Sequence, residues 1–255
     1  MPPLISVVMP AYNAETYIEQ AVESVLAQTY QHLEIIIVND ASTDQTALIV
    51  EGMAAQDERI RICHNEQNRG VSFSRNLAIS CAEGEWIAFL DSDDAWHHEK
   101  LASQMRLVEQ KGAEFIFTGA TYMDEKSNMY STVFQVPKEV RYQNLLKQNV
   151  ISCSSVMIKR KFFEKLQLER DDLSEDYLAW LTILRTGIVA YSVNEPLLIY
   201  RISRHSKSGR KVRSIQMTYR VYRHIGIWQP AALFYTMSHL MKSLKKYRKL
   251  NIHYF

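Results

Sequence analysis

Over residues 4–120, short runs of β-branched and other apolar residues alternate with longer stretches whose apolar positions recur at helical spacing. Ile5–Met9, Ile35–Val38, Ile60–Cys63, Trp86–Leu90 and Phe115–Thr118 are continuous or nearly continuous apolar runs, the pattern of strands covered on both faces. Tyr17, Ile18, Ala21, Val22, Val25 and Leu26 share one face of a helix, and Thr46–Met53, Phe73–Ile79 and Leu101–Val108 predict three more. Strand and helix in this repeated order predict a parallel sheet clothed by helices, an α/β fold of nucleotide-binding type. Residues 121–150 show no clear period. Beyond them the pattern predicts a strand at Ser155–Ile158, a helix from Asp176 to Thr186, short strands at Val189–Val193 and Leu197–Ile202, and then cation-rich helices.

Composition narrows this picture. A chain of 255 residues with 47% hydrophobic and 23% charged positions has room for one large α/β domain or two small ones, and is neither disordered nor collagen-like. The net charge of +2 conceals a division: residues 1–195 hold 17 Lys/Arg and all 28 Asp/Glu, whereas residues 196–255 hold 13 Lys/Arg and no acid. A basic block of this kind points to an anionic partner, whether nucleic acid, a phospholipid surface or a phosphorylated substrate. Cys63, Cys81 and Cys153 form neither a CxxC pair nor an even disulfide framework, which favours a reducing compartment. Met1–Met9 lacks a basic leader and reads as a first strand, not a signal peptide.

In an open parallel sheet ligands sit beyond the carboxyl ends of the strands, so the polar residues there are the candidates. They are Pro10-Ala11-Tyr12-Asn13, then Asn39-Asp40-Ala41-Ser42-Thr43-Asp44, then Asp91-Ser92-Asp93-Asp94. No glycine-rich phosphate loop of either common form occurs. Clustered Asp residues supply another way to hold a diphosphate, through a divalent cation. An acidic turn capping the helix that follows is the other reading of Asp91–Asp94, and an N-cap is the reading preferred for Asp44.

Val8–Asn13, Val38–Asp44, Asn68-Arg69-Gly70 through Arg75-Asn76, and Phe89–Asp94 together resemble family 2 glycosyltransferases of the GT-A fold, in order and spacing, over roughly residues 4–205. The resemblance implies an inverting hexosyltransferase that uses a UDP-sugar with Mn²⁺ or Mg²⁺. It implies nucleotide-sugar contacts at Pro10, Tyr12, Asn13, Asp40, Arg75, Asp91, Ser92, Asp93 and Asp94: Tyr12 packs on the base, Asp40 accepts from the uracil N3–H, Asp91 lies near the ribose and Asp93 reaches the metal. Each role suits its residue type, since an aromatic face stacks a planar base and a hard oxygen suits Mg²⁺ or Mn²⁺. Arg75 is read equally as a nucleotide contact or an internal ion pair.

Leu173–Trp180 is similar to the family's ED segment, which implies Asp176, with Glu175 beside it, as the general base; a helix start rich in acids is the other reading. Tyr200–Ser208 looks like the family's closing segment, implying that His205 ligates the metal or contacts the diphosphate and that Arg201 helps to neutralise it; an exposed basic loop is the other reading. His97-His98 reads as a surface pair at a helix start.

The expected organisation is a GT-A catalytic domain over 1–208, split into a nucleotide-sugar half (1–120) and an acceptor half (121–208), followed by a basic amphipathic helical tail over 209–255. The tail's interleaved aromatics and cations suit a monotopic contact with an anionic leaflet, with the interior of a helical subdomain packed on the catalytic body as the other reading; Ile225–Met241 falls short of the roughly 20 apolar residues of a span. A lipid-linked oligosaccharide acceptor, a place at the inner face of the cell membrane, and O-antigen or surface polysaccharide assembly follow as expectations, with glucose the weakly preferred sugar. The competing expectation is a non-catalytic nucleotide-binding module whose basic tail binds nucleic acid; the acidic sheet mouth disfavours it, and no nucleic-acid partner is expected.

Overall fold

The computed structural model describes residues 2–168, 173–202 and 211–249. Its first part runs β1 (Ile5–Ala11), α1 (Ile18–Leu26), β2 (Leu33–Asn39), α2 (Thr46–Ala54), β3 (Ile60–His64), α3 (Val71–Cys81) and β4 (Trp86–Phe89). β5 (Ala95–Trp96), α4 (Lys100–Lys111), β6 (Phe115–Met123), β7 (Met129–Phe134), β8 (Glu139–Val140) and α5 (Tyr142–Lys147) follow. The chain then continues through β9 (Met157–Lys159), α6 (Glu175–Leu184), β10 (Ala190–Arg201), α7 (Lys211–His224) and α8 (Gln229–Lys249).

All ten strands lie in one sheet, ordered β3-β2-β1-β4-β9-β6-β10-β5, with β7 beside β6 and β8 beside β10. β3, β2, β1 and β4 are mutually parallel. β9 inserts antiparallel between β4 and β6, so the sheet is mixed and not purely parallel as the alternation predicts. The run Ser155–Ile158 reads as a strand, but nothing in a short apolar run encodes its direction.

The apolar runs are explained by burial on both faces. Ile5, Val7 and Met9 of β1 join Ile35 and Ile37 of β2 in a core beneath α1, α2 and α4. Val8, Ile36 and Val38 point the other way, into a core shared with Ala78, Phe89, Phe115 and Trp180. Trp180 of α6 makes edge contacts with Phe89 at 5.6 Å and Phe115 at 5.1 Å, anchoring α6 beneath the sheet.

Two further differences from the predicted elements have local causes. The strands expected at Val189–Val193 and Leu197–Ile202 are one strand, β10, whose pairing with β6 shifts register between Val193 and Leu198. Asn194-Glu195-Pro196 falls in that irregularity, where the apolar pattern lapses although the backbone stays extended. The unassigned stretch 121–150 holds the end of β6, the hairpin strand β7, β8 and the short α5; β7 alternates exposed and half-buried positions, too weak a signal to stand out.

The tail packs on the body. Val221 and Tyr222 of α7 and Ala232 of α8 are buried in the same core as Trp180. The Tyr177 and Tyr222 hydroxyls lie 2.9 Å apart, with the Leu145 carbonyl 2.9 Å from Tyr177 and the Leu146 carbonyl 2.8 Å from Tyr222, so two hydroxyl hydrogens are shared among three contacts.

Candidate active site

The carboxyl ends of β1, β2 and β4 bring three post-strand segments together, and a fourth comes from the start of α6. Pro10 is buried within β1; Tyr12 follows it half exposed, its ring free to meet a planar ligand. Asn13 takes a left-handed φ of 48° and ties the first segment to the second. Its backbone N–H donates to Ser42 Oγ at 3.0 Å, and its Oδ1 accepts from the Thr43 N–H at 2.8 Å.

Asp40 is buried, and its carboxylate organises the Asn68-Arg69-Gly70 turn. Oδ1 accepts from the Arg69 N–H at 2.9 Å and from Asn65 Nδ2 at 2.6 Å, while Oδ2 accepts from the Gly70 N–H at 2.8 Å. Gly70 sits at φ 86°, ψ 167°, a backbone region closed to side-chain-bearing residues, and immediately starts α3. Asp44 accepts from the Thr46 N–H at 3.0 Å and from the Glu15 N–H at 3.1 Å, so it serves the helix start and the neighbouring loop.

From α3, Arg75 reaches across the sheet end. It is 3% exposed, donates through Nη1 to Glu175 Oε1 at 2.7 Å and through Nη2 to Asp91 Oδ1. Burial works against the guanidinium's charge, but Asp91, Glu175 and Asp176 around it outweigh that and hold its pKa above the ordinary value. Arg75 therefore couples the acidic turn after β4 to the acidic start of α6.

The acidic turn itself is built from behind. Asp91 donates its N–H to Ser154 Oγ at 3.1 Å. Ser92 lies half buried in the turn between Asp91 and Asp93. Asp94 is buried, and its Oδ1 accepts from the Arg201 N–H at 2.9 Å. Burial, then the charge of Asp91, pushes the Asp93 carboxyl up to about 6, and burial with Asp93 and Asp91 raises Asp94 well above the usual carboxylate range. Among the described residues Asp94 Oδ2 is buried with no hydrogen-bond partner. Crowded carboxylates with an orphaned oxygen are what a hard divalent cation would relieve, so the donor set fits Mg²⁺ or Mn²⁺. Among the described residues no group of three His, Cys, Asp or Glu converges.

At α6, Glu175 is occupied by Arg75, whereas Asp176 makes no ion pair among the described residues and accepts from the Tyr177 N–H at 2.7 Å. Burial and the adjacent Glu175 charge push the Asp176 carboxyl up to about 6, the range useful to a general base near neutrality. The two acids thus hold different positions, which the residue pattern alone leaves equivalent.

Arg201 requires correction. Its guanidinium is 1% exposed and donates to the Asp93 carbonyl at 2.8 Å, the Asp124 carbonyl and Ser127 Oγ at 3.0 Å each, and Gln20 Oε1, with the Tyr17 ring 4.1 Å away. It braces the acidic turn from within: four of its five guanidinium N–H groups are taken by these partners, and the side chain is buried away from the sheet mouth where a diphosphate would sit. His205 lies outside the described residues. His97 and His98 stack on each other at 4.3 Å just before α4. Residue-type reasoning overlooked Ser154 and Asn65. Asn65 follows β3 and was within reach of the same post-strand rule; Ser154, in a polar run before β9, carries no comparable signal.

Comparison with known proteins bears on this geometry. The family model for glycosyl transferase family 2 matches residues 6–167. TuaG of Bacillus subtilis (strain 168), named for a glycosyltransferase role in teichuronic acid biosynthesis, is 39% identical over 88% of this chain and 88% of its own. The Escherichia coli UDP-Glc:alpha-D-GlcNAc-diphosphoundecaprenol beta-1,3-glucosyltransferase WfaP is 35% identical over 96% of this chain and 97% of its own. Among solved structures, Staphylococcus aureus TarS 1-349 in complex with UDP-GlcNAc superposes with TM-score 0.70 at 19% identity, covering 89% of this chain and 69% of that one. The mannosyltransferase PcManGT of Pyrobaculum calidifontis, in complex with GDP-Man and Mn²⁺, gives TM-score 0.70 at 18% identity over 93% of this chain and 69% of that one. The fold is GT-A, and the chain belongs to glycosyl transferase family 2.

Proposed function

We propose that this family 2 member is an inverting, metal-dependent transferase that moves a hexose from a UDP-sugar to a hydroxyl of a lipid-linked glycan, in the assembly of a surface polysaccharide such as an O-antigen. The observation that carries the reading is the pairing of Arg75 with both Asp91 and Glu175, which leaves Asp176 without an ion pair among the described residues, close to Asp91 at the sheet end. Tyr12 stacks the base, Asp40 and its turn frame the uracil edge, and Asp91 meets the ribose. Asp93 would hold a Mn²⁺ or Mg²⁺ ion, which offsets charge on the departing diphosphate.

Asp176 takes the proton of the acceptor hydroxyl as that oxygen bonds to the anomeric carbon. The bond from that carbon to the UDP oxygen breaks on the opposite face, its electron pair leaving with UDP, so the configuration inverts. Glucose is the first sugar to test and a GlcNAc-diphosphate lipid the first acceptor, because both occur in the names of the Escherichia coli relatives WfaP and WfgD. The protein works peripherally at the inner face of the membrane, in contact through its basic tail.

The test is a donor screen with UDP-glucose, UDP-galactose and their N-acetyl forms against a GlcNAc-diphosphate lipid, with Mn²⁺ or chelator, following UDP release and the anomeric configuration of the product. Transfer from one donor with inverted configuration and loss under chelation supports the reading. A retained configuration, or transfer indifferent to chelator, overturns it.

A further inference from the structure

We infer that the outward face of α8, formed by Leu233, Phe234, Met237 and Met241 with Trp228 just before the helix, is a docking surface for an anionic phospholipid bilayer. The inference rests on the lipid-linked acceptor proposed above and names the surface that would bring the site to it.

α8 has two apolar faces. Ala232 and Thr236 are buried on the body, and Tyr235 packs against the core, so the inward face is spent. The other face is bare: Trp228 is 73% exposed and Phe234 66%, and Leu233, Met237 and Met241 are each more than half exposed. These five are most of the nine large apolar side chains exposed among the described residues; Leu233, Phe234, Met237 and Met241 share one face of α8, and Trp228 immediately precedes the helix. The helix carrying them is held in place, since α7 and α8 contribute Val221, Tyr222 and Ala232 to the main core. Such a concentration marks an interaction surface, not incidental exposure.

Charge selects the occupant. Residues 196–255 contain 13 Lys/Arg and no acid, and the apolar stretch is followed in sequence by Lys242, Lys245, Lys246, Arg248 and Lys249. A second copy of this chain would set two such blocks against each other. An anionic headgroup layer complements them, and Trp, Phe, Leu and Met suit the boundary beneath it. Among the described residues no helix is long and apolar enough to cross a membrane, so this face lies on the bilayer and does not enter it lengthwise.

The surface is also joined to the chemistry. Tyr222 of α7 meets Tyr177 of α6 hydroxyl to hydroxyl, and Tyr177 follows Asp176 directly. Removing the tail would therefore strip buried residues from the core, so surface substitutions are the cleaner probe.

The experiment is vesicle flotation of the full chain, without sugar donor, on phosphatidylcholine vesicles with and without phosphatidylglycerol. Wild type should float with the anionic vesicles, and Leu233→Ser/Phe234→Ser should bind them at least about tenfold more weakly. The variant should keep the wild-type melting temperature and its rate on a short-chain, water-dispersed acceptor, and lose rate only on a vesicle-embedded one. Equal flotation of variant and wild type, or no flotation of wild type, overturns the inference. So does a wild-type dimer that the variant dissolves, which would make this face a contact between copies. Because flotation uses neither donor nor acceptor, its outcome is independent of whether the proposed transfer occurs.

Discussion

Glu175 Oε1 accepts from Arg75 Nη1 at 2.7 Å, and the same guanidinium holds Asp91 with its other nitrogen. A buried cation between two carboxylates from distant parts of the chain fixes the start of α6 against the turn after β4. It ties down Glu175 and leaves Asp176 without an ion pair among the described residues.

Asp176→Asn should lower the transfer rate by about 10²–10⁴-fold, the usual worth of a general base, while leaving UDP-sugar affinity near wild type. Single-turnover transfer alongside donor titration measures both. Normal transfer by this variant would remove Asp176 from the role of base.

The pH profile follows from the raised Asp176 pKa. The base acts only when ionised, so kcat/KM should fall as pH drops through about 6. After burial, the Glu175 charge is the next cause of that elevation. Glu175→Gln should therefore move the acid limb to lower pH in whatever activity remains. A limb that stays in place would show that Glu175 does not tune its neighbour.

The same substitution should destabilise the fold. Glu175→Gln leaves the buried Arg75 with one carboxylate instead of two, and breaking a buried pair typically costs about 3–5 kcal/mol. Asp91 remains as a partner, so a loss at the lower end of that range is expected in a denaturant titration.

Asp93 makes a prediction for the metal-free protein. Its folded pKa of about 6 lies above the unfolded value near 3.8, so the folded state binds the proton more tightly and this group adds stability as pH falls from about 6 toward 4. A Mn²⁺ ion held by Asp93, as proposed, would compete with that proton. The rise in melting temperature on adding Mn²⁺ should be larger at pH 7 than at pH 5, and Asp93→Ala should abolish it.

Gly70→Ala should weaken both stability and donor binding. The φ of 86° with ψ of 167° costs a side-chain-bearing residue about 1–3 kcal/mol. Relaxing it would pull the Arg69 and Gly70 N–H groups off Asp40. Thermal melts and UDP titration would report the two effects separately.

Much was legible from the chain alone, for physical reasons that particular residues illustrate. Ile5–Met9 and Ile35–Val38 read as buried strands because both faces of β1 and β2 are covered, leaving no polar alternation to blur the signal. The post-strand rule reached Tyr12, Asp40 and Asp91–Asp94 because ligands of such sheets collect where parallel strands end. Arg201 was misplaced because a guanidinium beside a basic loop looks free in sequence, whereas its backbone and side chain are both spent on Asp93, Asp94, Asp124 and Gln20. Cys63 and Cys81, apart in sequence, lie with their sulfurs 3.8 Å from each other across β3 and α3.

Sequence determined what is local: which runs extend, which coil, where acids cluster, and where cations without acids begin. Tertiary structure alone decided which acids are neighbours. Whether Glu175 or Asp176 is tied down depends on Arg75, one hundred residues earlier in the chain, arriving beneath the sheet end at hydrogen-bonding distance. Burial then sets the proton affinity of the carboxylate left over, and burial is a property of packing that no residue carries by itself.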